Sequence, residues 1–288
     1  MPGVVALTSL RPDLGLESQV GGLGVMDIRH PEAAEQLLGR WSDEPVLVLC
    51  TQADLDNARS VVALAATRFP SLRASVEALP GPSLTLAELG RRAAAQPDLV
   101  SSVAALDSLR EAAWIAAWLP QVRKLATVNP SMGQHLRSYL PGAGFLVEFA
   151  PDPHVTTLTG PRAQGRAKQS QPRRAKSRGA EPADFSGHTL VHSSTDISWL
   201  VDDVRRSLNL GAAERGEPLH DVVDAHGSSR VVEFVTVRPD LEPDIHRRLS
   251  HAVECAACGA HHPRSVCPWC GMTTDQPLLA TPDQGATW

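Results

Sequence analysis

A chain of 288 residues with 42% hydrophobic and 20% charged positions has the make-up of an ordinary globular protein, and its length suggests about two domains. A formal net charge of −5 excludes a protein that coats nucleic acid with its whole surface. No stretch reaches the roughly 20 uncharged apolar residues of a membrane helix, and no basic region precedes an apolar run at the N-terminus, so a cytoplasmic location is expected.

With aromatics at only 4%, Ala, Val and Leu must fill the core. Residues 1–30 are glycine-rich and short on pattern; Gly21, Gly22 and Gly24 read as a turn or bulge rather than a phosphate loop. A helix is predicted to open at Pro31 and carry Ala33, Ala34, Leu37 and Leu38 towards Trp41. The uninterrupted apolar run of residues 46–50 predicts a strand buried on both faces, ending at Cys50 as a core thiol. Residues 53–68 repeat Leu55, Ala58, Val61, Val62, Ala65 and Ala66 at helical spacing. There follow a strand over 72–79, helices over 84–95 and 99–119, a strand over 122–128, a short helix after Asn129-Pro130-Ser131 and a strand over 145–149. The fold class expected is α/β, with a small Rossmann-like, mainly parallel sheet within residues 1–150. Trp114 and Trp118 lie four apart on the 99–119 helix in this reading, as core packing or as a partner-binding face.

Residues 151–187 form a basic linker in which Arg162, Arg166, Lys168, Arg173, Arg174, Lys176 and Arg178 follow one another with no intervening acid. Low apolar content and high charge predict a disordered tether, with contact to phosphates or an acidic protein surface as its functional reading. The third segment, residues 188–288, is expected to be a small α+β domain with a flexible tail. In it, Ser194, Thr195 and Asp196 offer a helix cap, residues 221–225 and 230–237 suggest a hairpin, and a helix spans about 243–253. His226, in the hairpin turn near Asp221, Asp224 and Glu233, invites a catalytic reading that no nucleophile or metal-binding His pair supports.

Four cysteines supply the strongest motif: Cys255-Ala-Ala-Cys258 and Cys267-Pro-Trp-Cys270, each followed by glycine. Two such pairs can give four thiolates to one tetrahedral Zn²⁺, and a glycine after each pair accommodates the positive φ of a tight knuckle. Residues 255–271 resemble the short zinc-ribbon family, including small ribosomal-protein and double-zinc-ribbon modules, which implies a structural zinc. Cys267-Pro-Trp-Cys270 also looks like a glutaredoxin redox site, but no helix opens after it; iron at four thiolates is chemically open, with the short interval favouring zinc. His251, His261 and His262 are expected outside the ligand set.

The carboxyl ends of the predicted strands mark where a parallel sheet would hold a ligand, namely Thr51, Gln52, Asp54, Asp56, Asn129 and Ser131. Net charges of −3, +4 and −6 on the three segments disfavour nucleic-acid binding by the cysteine module itself. The reading that follows is a non-catalytic zinc adaptor or accessory subunit, with another protein as its main partner, weak nucleic-acid contact through the linker and no membrane contact. An enzyme at the sheet edge and a direct nucleic-acid binder are its alternatives.

Overall fold

The computed structural model describes residues 3–11, 14, 17–122, 125, 128–140, 144–158, 187–194, 198–220 and 226–273. The basic residues from Arg162 to Arg178, Thr195 and Asp196 of the expected helix cap, residues 221–225 and the tail beyond 273 lie outside them.

The first sheet has five strands: β1 (Val4–Thr8), β2 (Glu17–Val20), β3 (Leu23–Asp27), β4 (Pro45–Thr51) and β5 (Arg73–Leu79), in the order β2-β3-β1-β4-β5. All pairings are parallel except the β2–β3 hairpin, whose turn places Gly21 and Gly22 at positive φ. Helices α1 (Pro31–Gly39) and α2 (Leu55–Arg68) cover one face, where Leu37, Leu38, Ala58 and Val61 meet Val5, Leu7, Val48 and Cys50. The opposite face packs on α3 (Ser83–Ala94) and α4 (Leu99–Ala112), the latter capped by Asp98, whose side chain accepts from the Ser101 amide at 2.7 Å.

Beyond α3 and α4 lies a second sheet of six strands in the order β10-β9-β11-β6-β7-β8. It joins β6 (Ala113–Leu119), β7 (Gly144–Ala150) and β8 (His154–Leu158) to β9 (Thr189–Ser193), β10 (Ala213–Arg215) and β11 (Val232–Val237). Its pairings are antiparallel apart from β9–β10. A short helix α5 (Met132–Arg137), opened by a Ser131/Gln134 capping box, leads into β7. Helix α6 (Ser198–Leu208) covers the outer face, placing Leu200 and Val204 against Trp114, Trp118 and Phe234. The α3–α4 pair is thus shared by two sheets, and the layer between them is aliphatic.

The α/β class is the one expected, and several elements depart from expectation in detail. Residues 113–119 are a strand, not the end of a helix. Helix α4 stops at Ala112 and Ala113 is already extended, with φ −90° and ψ 137°. The run is buried on both faces because α3 and α4 pack on one side and α6 on the other, so its sequence lacks alternation. Trp114 and Trp118 still share a face, since four residues is an even step along a strand, and both are core. Strands β6 and β7, from the segment expected to be the first domain, and β8, from the segment expected to be linker, share one sheet with strands of residues 189–237, where β11 pairs with β9 and β6. Because Trp118 is fully enclosed, Trp118→Ala should cost about 3–5 kcal/mol by denaturant unfolding; a cost under about 1 kcal/mol would show that this face is not core.

Short helix α7 (Glu242–Leu249) packs on α4 and runs into a two-stranded ribbon, β12 (Val253–Glu254) and β13 (His261–His262), which carries the four cysteines.

Candidate functional site

At the carboxyl edge of the first sheet, two strand ends, the start of α3 and a loop from the second half of the chain converge on buried hydroxyls. Thr8 ends β1 and Thr51 ends β4, and both hydroxyls donate to Asp54 Oδ2, at 2.8 and 2.9 Å. Asp54 sits there because residues 52–54 form a single 3-10 turn whose N-cap, Thr51, accepts from the Asp54 amide at 3.3 Å. Thr8 Oγ1 also lies 3.3 Å from His220 Nδ1, and the His220 amide donates to Ser83 Oγ, again at 3.3 Å. Ser83 opens α3 after Gly81-Pro82. Gly81 has φ +79°, and a Cβ there would meet Ile115 Cγ2 at 2.7 Å, so the turn into α3 needs glycine.

Thr8, Thr51, Ser83 and His220 are all buried, whereas Asp54 is half-buried. Thr85, in the first turn of α3, is enclosed, and its hydroxyl has no hydrogen-bond partner among the described residues. Nearby, Asp27 ends β3 and binds Arg29 through both oxygens. Burial alone would raise the Asp27 carboxyl, but the hydrogen bonds and charge of Arg29 outweigh it and hold it below the usual carboxylate value. The edge is therefore a set of short polar groups at a helix N-terminus, with the aliphatic layer between the sheets behind it.

Of the residues marked at strand ends from the sequence, Thr51 and Asp54 belong to this cluster. Gln52, Asp56 and Asn129 are exposed, and Ser131 caps α5. Thr8, Ser83 and His220 went unmarked. Thr8 closes a strand hidden in the pattern-poor N-terminus, while Pro82-Ser83 carries a helix-start signal that could have been read.

The second constellation is the cysteine cluster. The four sulfurs lie within 4.8 Å of one another, with Cys255–Cys270 at 3.5 Å and Cys258–Cys267 at 3.6 Å. Four thiolates around one ion at about 2.3 Å stand about 3.8 Å apart, so the set fits a tetrahedral metal. Both knuckles have the same backbone. The Gly259 amide donates to Cys255 O at 2.8 Å and the Gly271 amide to Cys267 O at 2.9 Å, with φ of +69° and +72° at the two glycines. Amides of Cys258 and Ala257 bring the Cys255 thiol down to about 7, while burial pushes Cys267 up to about 12. Among the three histidines, His262 is buried edge-on to Trp269 and His261 is exposed. Cys50, as expected, is enclosed, and burial raises its thiol to about 12.

The ribbon is not a free appendage. Arg264, between the knuckles, grips Asp107 of α4 through Nε at 2.8 Å and Nη2 at 2.6 Å, and also reaches Glu77 of β5. Arg110 meets the other oxygen of Glu77 at 2.9 Å, and Arg73 donates to Cys258 O at 3.0 Å. Burial would raise the Glu77 carboxyl, but Arg264 and Arg110 outweigh it and hold it below its ordinary value.

No family model matches the sequence, and no curated protein does so. Solved structures do match over most of the chain. A fatty acid kinase B3 protein of Streptococcus pneumoniae loaded with linoleic acid shares 9% identity at a TM-score of 0.53, covering 82% of this chain and 99% of its own. A stearic acid-binding protein from Eubacterium ventriosum shares 12% at 0.53, covering 83% and 98%. A DegV family protein from Corynebacterium glutamicum shares 12% at 0.52, covering 84% and 99%. These matches correct the expectation of a zinc adaptor or accessory subunit in a nucleic-acid-handling complex, because the body that carries the ribbon has the architecture of proteins solved with fatty acids. Among the described residues no helix is long and apolar enough to cross a membrane. In fold, the chain is similar to DegV family and fatty-acid-binding proteins.

Proposed function

We propose that the protein binds a long-chain fatty acid, with the carboxyl group at the Thr8–Ser83–His220 cluster and the tail in the aliphatic layer between the sheets. The buried hydroxyl–imidazole cluster at the N-terminus of α3 carries this reading. Hydroxyl and backbone donors there suit a carboxylate, and the layer behind them is lined by short side chains such as Ala87, Ala93, Ala105 and Ala117. Asp54 is the competing acceptor, since it holds the Thr8 and Thr51 hydroxyls that a ligand carboxylate would take. As it is half-buried, it can turn to water when the ligand arrives.

This arrangement predicts opposite signs from neighbouring variants in a fatty-acid titration. Ser83→Ala and Thr8→Val each remove a donor and should weaken binding about tenfold. Asp54→Ala frees two donors and removes a like charge, and should tighten it by a similar factor. If all three variants weaken binding alike, the cluster is structural and the carboxyl group sits elsewhere.

For the cysteine cluster we propose one structural Zn²⁺ held by Cys255, Cys258, Cys267 and Cys270. The near-tetrahedral spacing of the sulfurs supports the ion, and the short ribbon favours zinc over iron. Four thiolates leave no open position for substrate, so the metal here holds the ribbon together.

A further inference from the structure

Glu233 lies in the middle of β11 and is fully enclosed. The strand otherwise reads as apolar residues and one threonine. Alternation puts Glu233 on the same face as Val235 and Val237, which pack into the layer between the sheets. Its cross-strand neighbours are Ala117 of β6 and the half-buried His192 of β9. One carboxylate oxygen lies 2.7 Å from Nε2 of His226, itself nearly enclosed. The other oxygen, Oε2, is buried without a hydrogen-bond partner among the described residues.

An acid in an aliphatic layer lowers stability relative to the valine or leucine that would fit this position, and an unmet carboxylate oxygen adds to that penalty. Such groups are normally satisfied, so the open oxygen calls for a donor. His226 already donates to Oε1 and fixes the orientation of the carboxylate, which leaves one acceptor for one donor.

We propose that Glu233, held by His226, is a second polar contact for the ligand and takes a hydroxyl carried on the acyl chain, so that the preferred ligands are hydroxylated long-chain acids. The proposal rests on the fatty-acid reading above. A layer of aliphatic side chains with one unmet acceptor favours a tail with one matching hydroxyl and penalises a tail that leaves the acceptor unmet.

The test is a titration of the full chain with a saturated long-chain acid and with the same acid carrying one hydroxyl, moved stepwise along its middle. The parent should bind one positional isomer at least about tenfold more tightly than the plain acid. Glu233→Leu should reverse that order, and Glu233→Gln, which is isosteric and keeps an acceptor, should reduce the preference to a few-fold. Thermal melting of both variants reports whether each folds; should the Leu variant fail to, the Gln variant carries the test. Equal binding of plain and hydroxylated acids at every position overturns the proposal, with Glu233 met by a proton or a buried water only, and leaves the fatty-acid reading intact. Binding of neither acid removes both.

Discussion

Elemental analysis of the purified chain should return one zinc per molecule, and losing that ion should be the largest single destabilisation available to this protein. Structural zinc sites of this ligand type contribute about 10 kcal/mol of folding free energy, because the unfolded chain has no preformed site. Cys258→Ser and Cys267→Ser each break the tetrahedral set, and residues 253–273 should lose their fixed structure. Their effect should reach past the ribbon. Arg264 and Arg73 tie it to α4 and β5, so melting it also strips Glu77 and Asp107 of a guanidinium. The rest of the fold should therefore melt about 5–10 °C lower, on the usual scaling of a few degrees per kcal/mol. Differential scanning calorimetry with and without chelator measures both steps. A chain that contains no zinc when prepared without chelator, or whose melting is unmoved by either substitution, would reject the structural ion.

Arg264→Ala should cost about 3 kcal/mol near neutral pH. The side chain joins two carboxylates from different elements at the ribbon's base, and its removal leaves two partly buried charges short of a partner. Arg110 still contacts both acids, which keeps the cost below that of stripping a fully buried charge. The pH dependence has a definite sign. Glu77 has a folded-state pKa below its ordinary value of 4.5, so its contribution is present above about that pH and is lost as the pH falls through the lowered folded value. Parent and variant should therefore differ most near pH 7 and converge in acid. Urea unfolding at several pH values measures this, and a gap that is constant down to strong acid would place Arg264's contribution in packing rather than charge.

Legibility in the sequence followed the distance over which each feature is encoded. The metal ligands lie within sixteen positions, and their spacing and trailing glycines belong to a local backbone turn, so Cys255 to Cys270 could be read directly. Helices with a polar face, α1 and α2, were legible for the same reason. Elements buried on both sides were not. Strand β6 follows α4 with no glycine or proline between Ala112 and Ala113, and its run of apolar residues has no period that separates strand from helix. Reading it as helix hid the whole second sheet, because β6 is the strand through which residues 144–158 join residues 189–237. The ligand cluster was the least legible part. Thr8 and His220 are 212 positions apart and meet only because the loop after β10 returns to the carboxyl edge of β1, where the Arg11 amide donates to Leu219 O at 3.0 Å. Thr51 and Asp54 were marked because a general rule about strand ends applies to them without knowledge of the fold. Glu233 is seven positions from His226 and drew notice only as one of three acids near it, with Asp221 and Asp224; burial and the contact to His226 make it an acid with one open oxygen.

The proposed function is tested most directly by what the folded protein retains. The full chain is mixed with an equimolar set of saturated and unsaturated long-chain acids, separated from unbound lipid by gel filtration, and extracted with organic solvent for mass spectrometry. The arrangement at the carboxyl edge predicts about one acyl chain per protein molecule, with less retained by Ser83→Ala and more by Asp54→Ala. Extracts free of acyl chains, from a protein whose melting curve shows it to be folded, would contradict the fatty-acid reading.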